Sequence, residues 1–454
     1  MKLSRFLGFA SLPILSNHNM YFVFSLVSLI LIVDIFLIKM HGLGVNLHLL
    51  SLNEKISIFI GLAIGGVIGQ FLIVQLIENK VRNSKTVIAK YLKKLHTLFR
   101  IFQYSLTVLL VFISFQMLFA NEYHTILLIS IITFSYSLMA ILLGILASRF
   151  ISWLRFYKSS VAISYAITSI VLVINALITV IYVDASLMIK PMTIGPYVGG
   201  GFYTIWIGAQ LDFANFVITI ASFSVTWIST AILLYHYSRK FGKVKYWAIV
   251  ASPLVYFLSQ FLTLVPTPLD PLITQDPVLY STILILIFTS TKIIGGIFFG
   301  IAFWLISKNL PSGSIIRDYM KICSFGFILF YISNQSLGLV IAPYPPFGLI
   351  STTYIGLSSY LILVGIYYSA LSASQDIKLR QTIKNLAKNE SKLLDSIGSG
   401  ATDKEIQNTV TNLTKVYREE MSNQTGVPFS LSEEEAEEYL TTVLEEIKSG
   451  KLQK

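Results

Sequence analysis

The sequence predicts an all-α integral membrane protein: a bundle of about ten transmembrane helices followed by a small cytoplasmic helical tail. The chain is 54% hydrophobic and only 13% charged, with a mean hydropathy of +0.71, whereas soluble domains carry about 25% charged residues. Apolar runs long enough to cross a bilayer recur as far as Leu371. Beyond that residue the long apolar runs stop and charged residues become frequent.

The apolar runs give the predicted helices in chain order. Each has roughly the 20 residues that cross ~30 Å of hydrocarbon. The first follows Lys2 and Arg5 and is interpreted as an uncleaved helix, because it lacks a small-residue cleavage pattern. The predicted spans of the transmembrane bundle, residues 1–371, are 21–38, 56–77, 101–120, 126–147, 161–183, 214–235, 246–265, 282–306, 322–341 and 349–371.

Lysine and arginine are concentrated in alternate connecting segments. On one side of the predicted membrane there are 24, whereas the other side has only Lys39, Lys55 and Lys190. Because cytoplasmic loops are rich in these residues, we expect a multi-pass protein of the cell membrane with both termini in the cytoplasm. The net charge of +11 then indicates contact with an anionic inner leaflet and not with nucleic acid. Apolar and aromatic residues within two basic loops, 85–100 and 149–158, predict anchors lying on that leaflet.

Two spans carry glycine at the spacing that permits close helix packing. Gly61, Gly65 and Gly69 repeat every four residues in the second span, and Gly296 and Gly300 do so in the eighth. Membrane helices associate through such small residues. We expect both glycine faces to be buried against neighbouring helices, and packing of the two faces together is one arrangement that satisfies this.

Charged residues within the spans are the strongest functional signal, because they are costly in lipid and often mark a pathway or a paired site. Lys292 lies near the middle of the eighth span and Asp34 in the outer half of the first, so their side chains can meet at one depth. We predict that Lys292 pairs with Asp34 or, failing that, with Gln116, Gln260, Asn334 or Gln335. Several amides share that level. The candidate intramembrane polar site consists of Asp34, Lys292, Gln116, Asn175, Gln260, Asn334 and Gln335. These residues form either an outward-facing polar cavity or interhelical hydrogen bonds that only hold the bundle together.

Residues 372–454 form the predicted tail, with 14 acidic and 11 basic residues. Apolar residues at helical spacing predict three amphipathic helices, with a break at Gly398–Ser399–Gly400. Such a module is suited to a cytoplasmic protein partner. The outer segment 184–213, which contains three consecutive glycines, is compatible with a re-entrant structure, and the sequence leaves this open.

No enzyme motif accompanies these features. A phosphate-binding loop, a zinc-protease helix, a nucleophile elbow and the kinase signatures are not found in the required context. The single cysteine, Cys323, excludes an intramolecular disulfide. We therefore predict a protein that is not an enzyme and has no cofactor and no metal site.

Three stretches carry a family resemblance. They are Tyr344–Gly348, the following span through Asp376, and Leu393–Gly398. Here the sequence resembles uncharacterised multi-pass membrane proteins of ammonia-oxidising archaea, over roughly the last quarter of the chain. The resemblance implies a lineage and brings no assigned activity.

Two functions remain open from the sequence. The first is binding or transport of a small solute or ion through the outward-facing polar region. The alternative is a membrane receptor or scaffold that signals through the tail, with the last span passing a conformational change to a cytoplasmic partner.

Overall fold

A computed structural model describes residues 17–42, 51–82, 89–156, 159–196, 209–235, 238, 242–260, 270–311, 314–334, 337–375, 393–394, 396–404 and 406–407. Over the described part of the chain, nine helical stretches are long and apolar enough to cross a membrane, and one of them, Ile315–Ile341, consists of two helices. The chain thus has the architecture of an all-α multi-pass membrane protein.

The helices and the two short strands follow in chain order: α1 (Asn17–Gly42), α2 (Leu52–Arg82), α3 (Ala89–Ala120), β1 (Tyr123–His124), α4 (Thr125–Leu154), α5 (Ser160–Met188), β2 (Thr193–Ile194), α6 (Ala209–Leu234), α7 (Lys243–Ser259), α8 (Asp270–Gln275), α9 (Pro277–Asn309), α10 (Ile315–Ser333), α11 (Leu337–Ile341) and α12 (Leu349–Gln375).

Nine of the ten predicted spans correspond to the membrane-length helices. The ninth predicted span is divided between α10 and α11, and together they cover Ile315–Ile341. The seventh, 246–265, begins within α7, a helix of 17 residues with Pro253 inside it. Residues 261–269 lie outside the described part of the chain. A seventh crossing therefore stays a prediction.

The two ends of the bundle carry different structures. At the ribbon end, predicted to face outward, β1 pairs antiparallel with β2, and Tyr123 lies opposite Ile194. Part of the segment 184–213 thus completes α5 and forms β2, whereas residues 197–208 are outside the described ranges. The opposite end, which we call the tail end, is contacted by the tail residues Gly398, Gly400 and Lys404.

Helix α12 forms the centre of the bundle. Every residue from Leu349 to Ile366 is buried, and the helix packs against α1, α2, α3, α4 and α10. Its serines and threonines stay compatible with this apolar surrounding because several hydroxyls donate to carbonyls one turn earlier in the same helix, as Thr352 does to Gly348. The stretch Leu349–Ile366 of this helix is therefore enclosed by other parts of the protein.

The glycine faces are partly as predicted. A Cβ atom built at Gly300 would lie 2.5 Å from Cγ1 of Ile328 on α10, and one at Gly69 would lie 2.5 Å from Cγ2 of Val27 on α1. Gly61 has no such neighbour within 4 Å. The expectation that Gly61 is buried against another helix is therefore wrong. The two faces also pack against different helices and not against each other, because α1 and α10 already occupy them.

Two predictions for the tail end need correction. Residues 396–404 are helical, so the break predicted at Gly398–Ser399–Gly400 is wrong. Both glycines permit close approach instead: a Cβ atom would lie 3.0 Å from Cβ of Ala373 at Gly398 and 2.9 Å from Cβ of Trp153 at Gly400. Trp153 was expected to anchor on the leaflet, but its side chain is 4% exposed and packs within the protein.

Candidate functional site

Lys292 joins α9 to the end of α10. Its ammonium group donates a hydrogen bond of 3.1 Å to the backbone carbonyl of Asn334. Asn334 directly follows α10 and has φ −80° and ψ 67°, so the helix stops there. The C-terminus of a helix carries partial negative charge, which favours a cation at this position. The structure thus brings together two of the residues that the sequence proposed for one site.

The side chain of Asn334 holds a third helix at the same point. The hydroxyl of Tyr136, on α4, donates to Asn334 Oδ1 at 2.9 Å. Tyr136 itself is fully buried. Helices α4, α9 and α10 therefore meet at Asn334 through polar contacts.

Of the partners predicted for Lys292, Asp34 is therefore wrong, and the alternative Asn334 is confirmed through its backbone carbonyl. The side chain of Asp34 is fully buried and accepts hydrogen bonds from the backbone N–H of Gly348 at 2.7 Å and of Ser351 at 2.9 Å. The Ser351 hydroxyl donates to the same carboxyl group at 2.8 Å. The first N–H groups of a helix lack partners within the helix, and hydrocarbon offers none, so a carboxyl group from α1 stabilises the start of α12.

Gly348 makes this contact possible. Its φ is +86°, in the left-handed region that favours glycine. This conformation lets the chain turn from the buried segment Ala342–Phe347 into α12 with its N–H directed at Asp34.

The remaining predicted site residues are dispersed. Gln116 accepts a hydrogen bond of 3.1 Å from the backbone N–H of His124, at the ribbon end. Gln260 Oε1 lies at the outer limit of a hydrogen bond, 3.5 Å from Thr291 Oγ1. Asn175 is buried on α5. Gln335 lies outside the described residues, and none of the contacts above joins the other three to Lys292.

A second cation lies near Lys292. Lys39, close to the end of α1, is partly buried, and its charge acts on Lys292. In the described part of the chain, the lysine and arginine ion pairs are Arg100 with Glu78 and Lys321 with Asp318. Neither Lys39 nor Lys292 has a carboxylate partner among those residues. The charges of these two lysines are therefore not neutralised by an ion pair within the described residues.

Sequence reasoning missed a cluster near the tail end. His96 on α3 is 6% exposed, and its Nδ1 lies 2.8 Å from the hydroxyl of Tyr360 on α12. Its Nε2 lies 4.0 Å from a Glu78 carboxylate oxygen on α2. Arg100 donates to both oxygens of Glu78, at 3.3 and 3.2 Å. The i, i+4 spacing of His96 and Arg100 was the available signal, because it places both side chains on one helix face.

A layer of amides and hydroxyls lies between this cluster and the ribbon end. Gln70 on α2 donates to Thr353 Oγ1 on α12 at 2.6 Å and accepts from Thr107 on α3 at 3.3 Å. Gln103 Nε2 donates weakly to the Thr353 carbonyl at 3.4 Å. These bonds fix α2 and α3 against the central helix.

The tail contacts the ends of α4 and α12. Leu393, Leu394 and Ile397 are fully buried. Lys404 donates to the hydroxyl of Ser152 at 2.5 Å. Desolvation lowers the pKa of Lys404, with smaller contributions from the charges of Arg149 and Arg155. This short tail segment is therefore attached to the bundle.

No protein-family model, curated protein or solved structure matches this chain.

Proposed function

We propose that the protein binds a small anionic solute or ion beside Lys292 and transports it across the cell membrane, entering from the ribbon end. The observation that carries this proposal is the unbalanced positive charge of Lys292 and Lys39. The charge distribution of the loops supports a cytoplasmic location for both termini.

The energetics favour an anion over a cation or a neutral solute. A lysine at the centre of a spanning helix costs about 2.5–3.5 kcal/mol. Lys292 lies roughly 15 Å along the span that starts at Thr282, at ~1.5 Å per residue. An ammonium group has three donors, and the described residues supply Lys292 with one acceptor, the Asn334 carbonyl. An anion would supply the missing acceptors and offset both charges.

The interrupted span supports transport in particular. Transporters commonly place their substrate site where a spanning helix is discontinuous, near the bilayer midplane. Here α10 ends at Ser333 and α11 begins at Leu337, with Asn334 in a non-helical conformation. Lys292 contacts this point directly.

A thermal-shift screen of the purified protein tests the binding step. Chloride, nitrate, phosphate, acetate and succinate are compared as their choline salts at equal ionic strength. A ligand that binds only the native state stabilises it by about 2.7 kcal/mol at 100 times its Kd. We expect at least one of these anions to raise the melting temperature of the wild-type protein.

Two variants of α9 locate the site. Lys292→Met should abolish the anion-dependent shift, since methionine fills a similar volume without charge. Lys308→Met is the matched control, because Lys308 is exposed on the same helix and lies over the ring of Trp304. If no anion stabilises the protein, or if the shift persists in Lys292→Met, the proposed site is wrong.

The attached tail segment favours a second candidate, a receptor or scaffold that signals to a cytoplasmic partner. Its contacts with Ser152 and Ala373 would transmit a movement of α4 or α12 to the tail. Spin labels at Ile406→Cys and Ile151→Cys, both exposed positions, would report the distance between tail and bundle. A solute-dependent change in that distance supports signalling, and an unchanged distance favours transport alone.

A further inference from the structure

The environment of His96 is unusual for a buried histidine. One ring nitrogen, Nδ1, lies 2.8 Å from the Tyr360 hydroxyl. The other, Nε2, is buried without a hydrogen-bond partner among the described residues. The closest carboxylate oxygen, on Glu78, is 4.0 Å away, which is too far for a hydrogen bond. The imidazole is thus held by one nitrogen and unsatisfied at the other.

Addition of a proton would satisfy both nitrogens. In the neutral ring one nitrogen carries hydrogen and the other accepts, whereas both donate in the imidazolium form. Nδ1–H would then donate to the Tyr360 oxygen and Nε2–H to Glu78. Closing the second contact from 4.0 Å to about 2.8 Å would create a charge-assisted hydrogen bond.

The surrounding charges permit this change. Glu78 faces the ring from α2, Arg100 lies on the same helix as His96, and Tyr360 faces it from α12. Two further tyrosines, Tyr319 on α10 and Tyr368 on α12, interact with Tyr360. The Glu78 carboxylate attracts the imidazolium and Arg100 repels it, so the imidazolium would share that carboxylate with the guanidinium.

Glu78 also connects the site to the surface of the described structure. Its side chain is 39% exposed and that of Arg100 is 35% exposed, whereas His96 is 6% exposed. A proton arriving at the tail end meets the carboxylate first and the imidazole behind it. On the far side, Phe99 stacks on the Tyr360 ring, with 4.1 Å between the ring centroids.

We propose that His96 is a proton-binding site that is loaded from the tail end through Glu78. One proton binds at the imidazole, and the Nε2–H then donates to the Glu78 carboxylate. This hydrogen bond links α2 to α3, and the hydrogen bond to Tyr360 links α3 to the central helix α12. The bundle thereby senses protons on one side of the membrane.

The test is a pH titration of the full chain in lipid nanodiscs with ¹⁵N-labelled histidine. The chain has six histidines, and His96→Gln identifies the His96 signals by their loss. We expect His96 to change from neutral to doubly protonated between pH 8.5 and 4.5, near the range in which histidine titrates. Signals that stay in one form over this range would overturn the proposal.

Substitution of Glu78 tests whether its carboxylate takes part in proton binding at His96. Glu78→Gln should lower the midpoint by about one pH unit, a tenfold loss of proton affinity, because an opposite charge within ~4–6 Å favours the charged form. Glu54→Gln, on the same helix at the ribbon end, is the matched control and should leave the midpoint unchanged. An unchanged midpoint in Glu78→Gln would refute the role of the carboxylate.

If His96→Gln does not fold, a second variant, Tyr360→Phe, identifies the His96 signals. Tyr360→Phe keeps the ring stacked on Phe99 and removes only the hydroxyl, so the ¹⁵N shift of Nδ1 should change while the ring still titrates. If none of the titrating histidine signals responds to this variant, His96 does not titrate and the proposal is wrong. The site does not depend on the proposed anion site, and Lys292→Met should leave the His96 midpoint unchanged.

Discussion

The role of Asp34 as the cap of α12 can be tested by three substitutions of graded severity. Asp34→Ala removes both acceptor oxygens, which bind the N–H groups of Gly348 and Ser351. Asp34→Asn keeps one acceptor and places an NH₂ group where the second oxygen was. Ser351→Ala removes a hydroxyl and leaves both backbone bonds in place.

The expected losses follow from the number of unsatisfied donors. A buried N–H left without an acceptor costs about 1–3 kcal/mol. Asp34→Ala leaves two such groups, so it should destabilise the protein by roughly 2–6 kcal/mol. Asp34→Asn leaves one and should cost about 1–3 kcal/mol, whereas Ser351→Ala should cost about 1 kcal/mol.

The assay is thermal unfolding in detergent, with the three variants and the wild-type protein purified in parallel. The expected order of melting temperature is wild type, Ser351→Ala, Asp34→Asn and Asp34→Ala, from highest to lowest. An Asp34→Ala variant as stable as Ser351→Ala would refute the capping role.

A double substitution separates capping from ion pairing. If Asp34 and Lys292 do not interact, the losses in Asp34→Asn and Lys292→Met should add to within about 0.3–0.5 kcal/mol. A double variant markedly more stable than that sum would show that the two side chains form a pair after all.

Two further predictions concern packing and pH. Gly300→Leu should block folding, because a Cβ atom there would lie 2.5 Å from Ile328 and 2.7 Å from the Ser324 carbonyl oxygen. Gly61→Leu should be tolerated, because a Cβ atom there would have no neighbour within 4 Å. Fluorescence-detected size-exclusion chromatography distinguishes the two variants, and equal behaviour would contradict the packing. Burial, with a smaller contribution from Glu122, raises the pKa of Tyr344 to about 12 from 10.0. Since the unfolded chain loses this proton first, stability should fall as the pH rises from about 10 to about 12. Tyr344→Phe should reduce that slope in pH-dependent unfolding, and an unchanged slope would refute the assignment.

The sequence predicted the membrane helices well because length and hydropathy are local properties. Nine predicted spans coincide with membrane-length helices, and Gly300 and Gly69 are packed as their spacing indicated. The same reasoning could not reveal that α12 is central, since its serines and threonines make it less apolar than α4. Burial by other helices is set by the whole bundle.

The candidate site was only partly predictable for a related reason. Sequence reasoning paired Asp34 with Lys292, the one opposite charge at the same depth. The N-terminus of a helix is also a partner for a carboxyl group, but the position of the α12 N-terminus depends on the turn at Gly348. Asn334 was predicted as an amide and contacts Lys292 through its backbone carbonyl. His96 was not considered because the loop before the third span was interpreted as a separate anchor, whereas α3 is one helix from Ala89 to Ala120.

The burial of α12 has a consequence for biosynthesis. Chains are made from the N-terminus, so α12 leaves the ribosome after every other described helix of the bundle. Until then, the space that α12 will occupy beside Gln70, Gln103 and Asp34 must stay empty or be filled by lipid. Nascent chains stalled before Leu349 would expose these polar groups to acyl chains and become targets for membrane quality control. Release of the finished chain into the bilayer should therefore be a late, all-or-none step governed by the last helix.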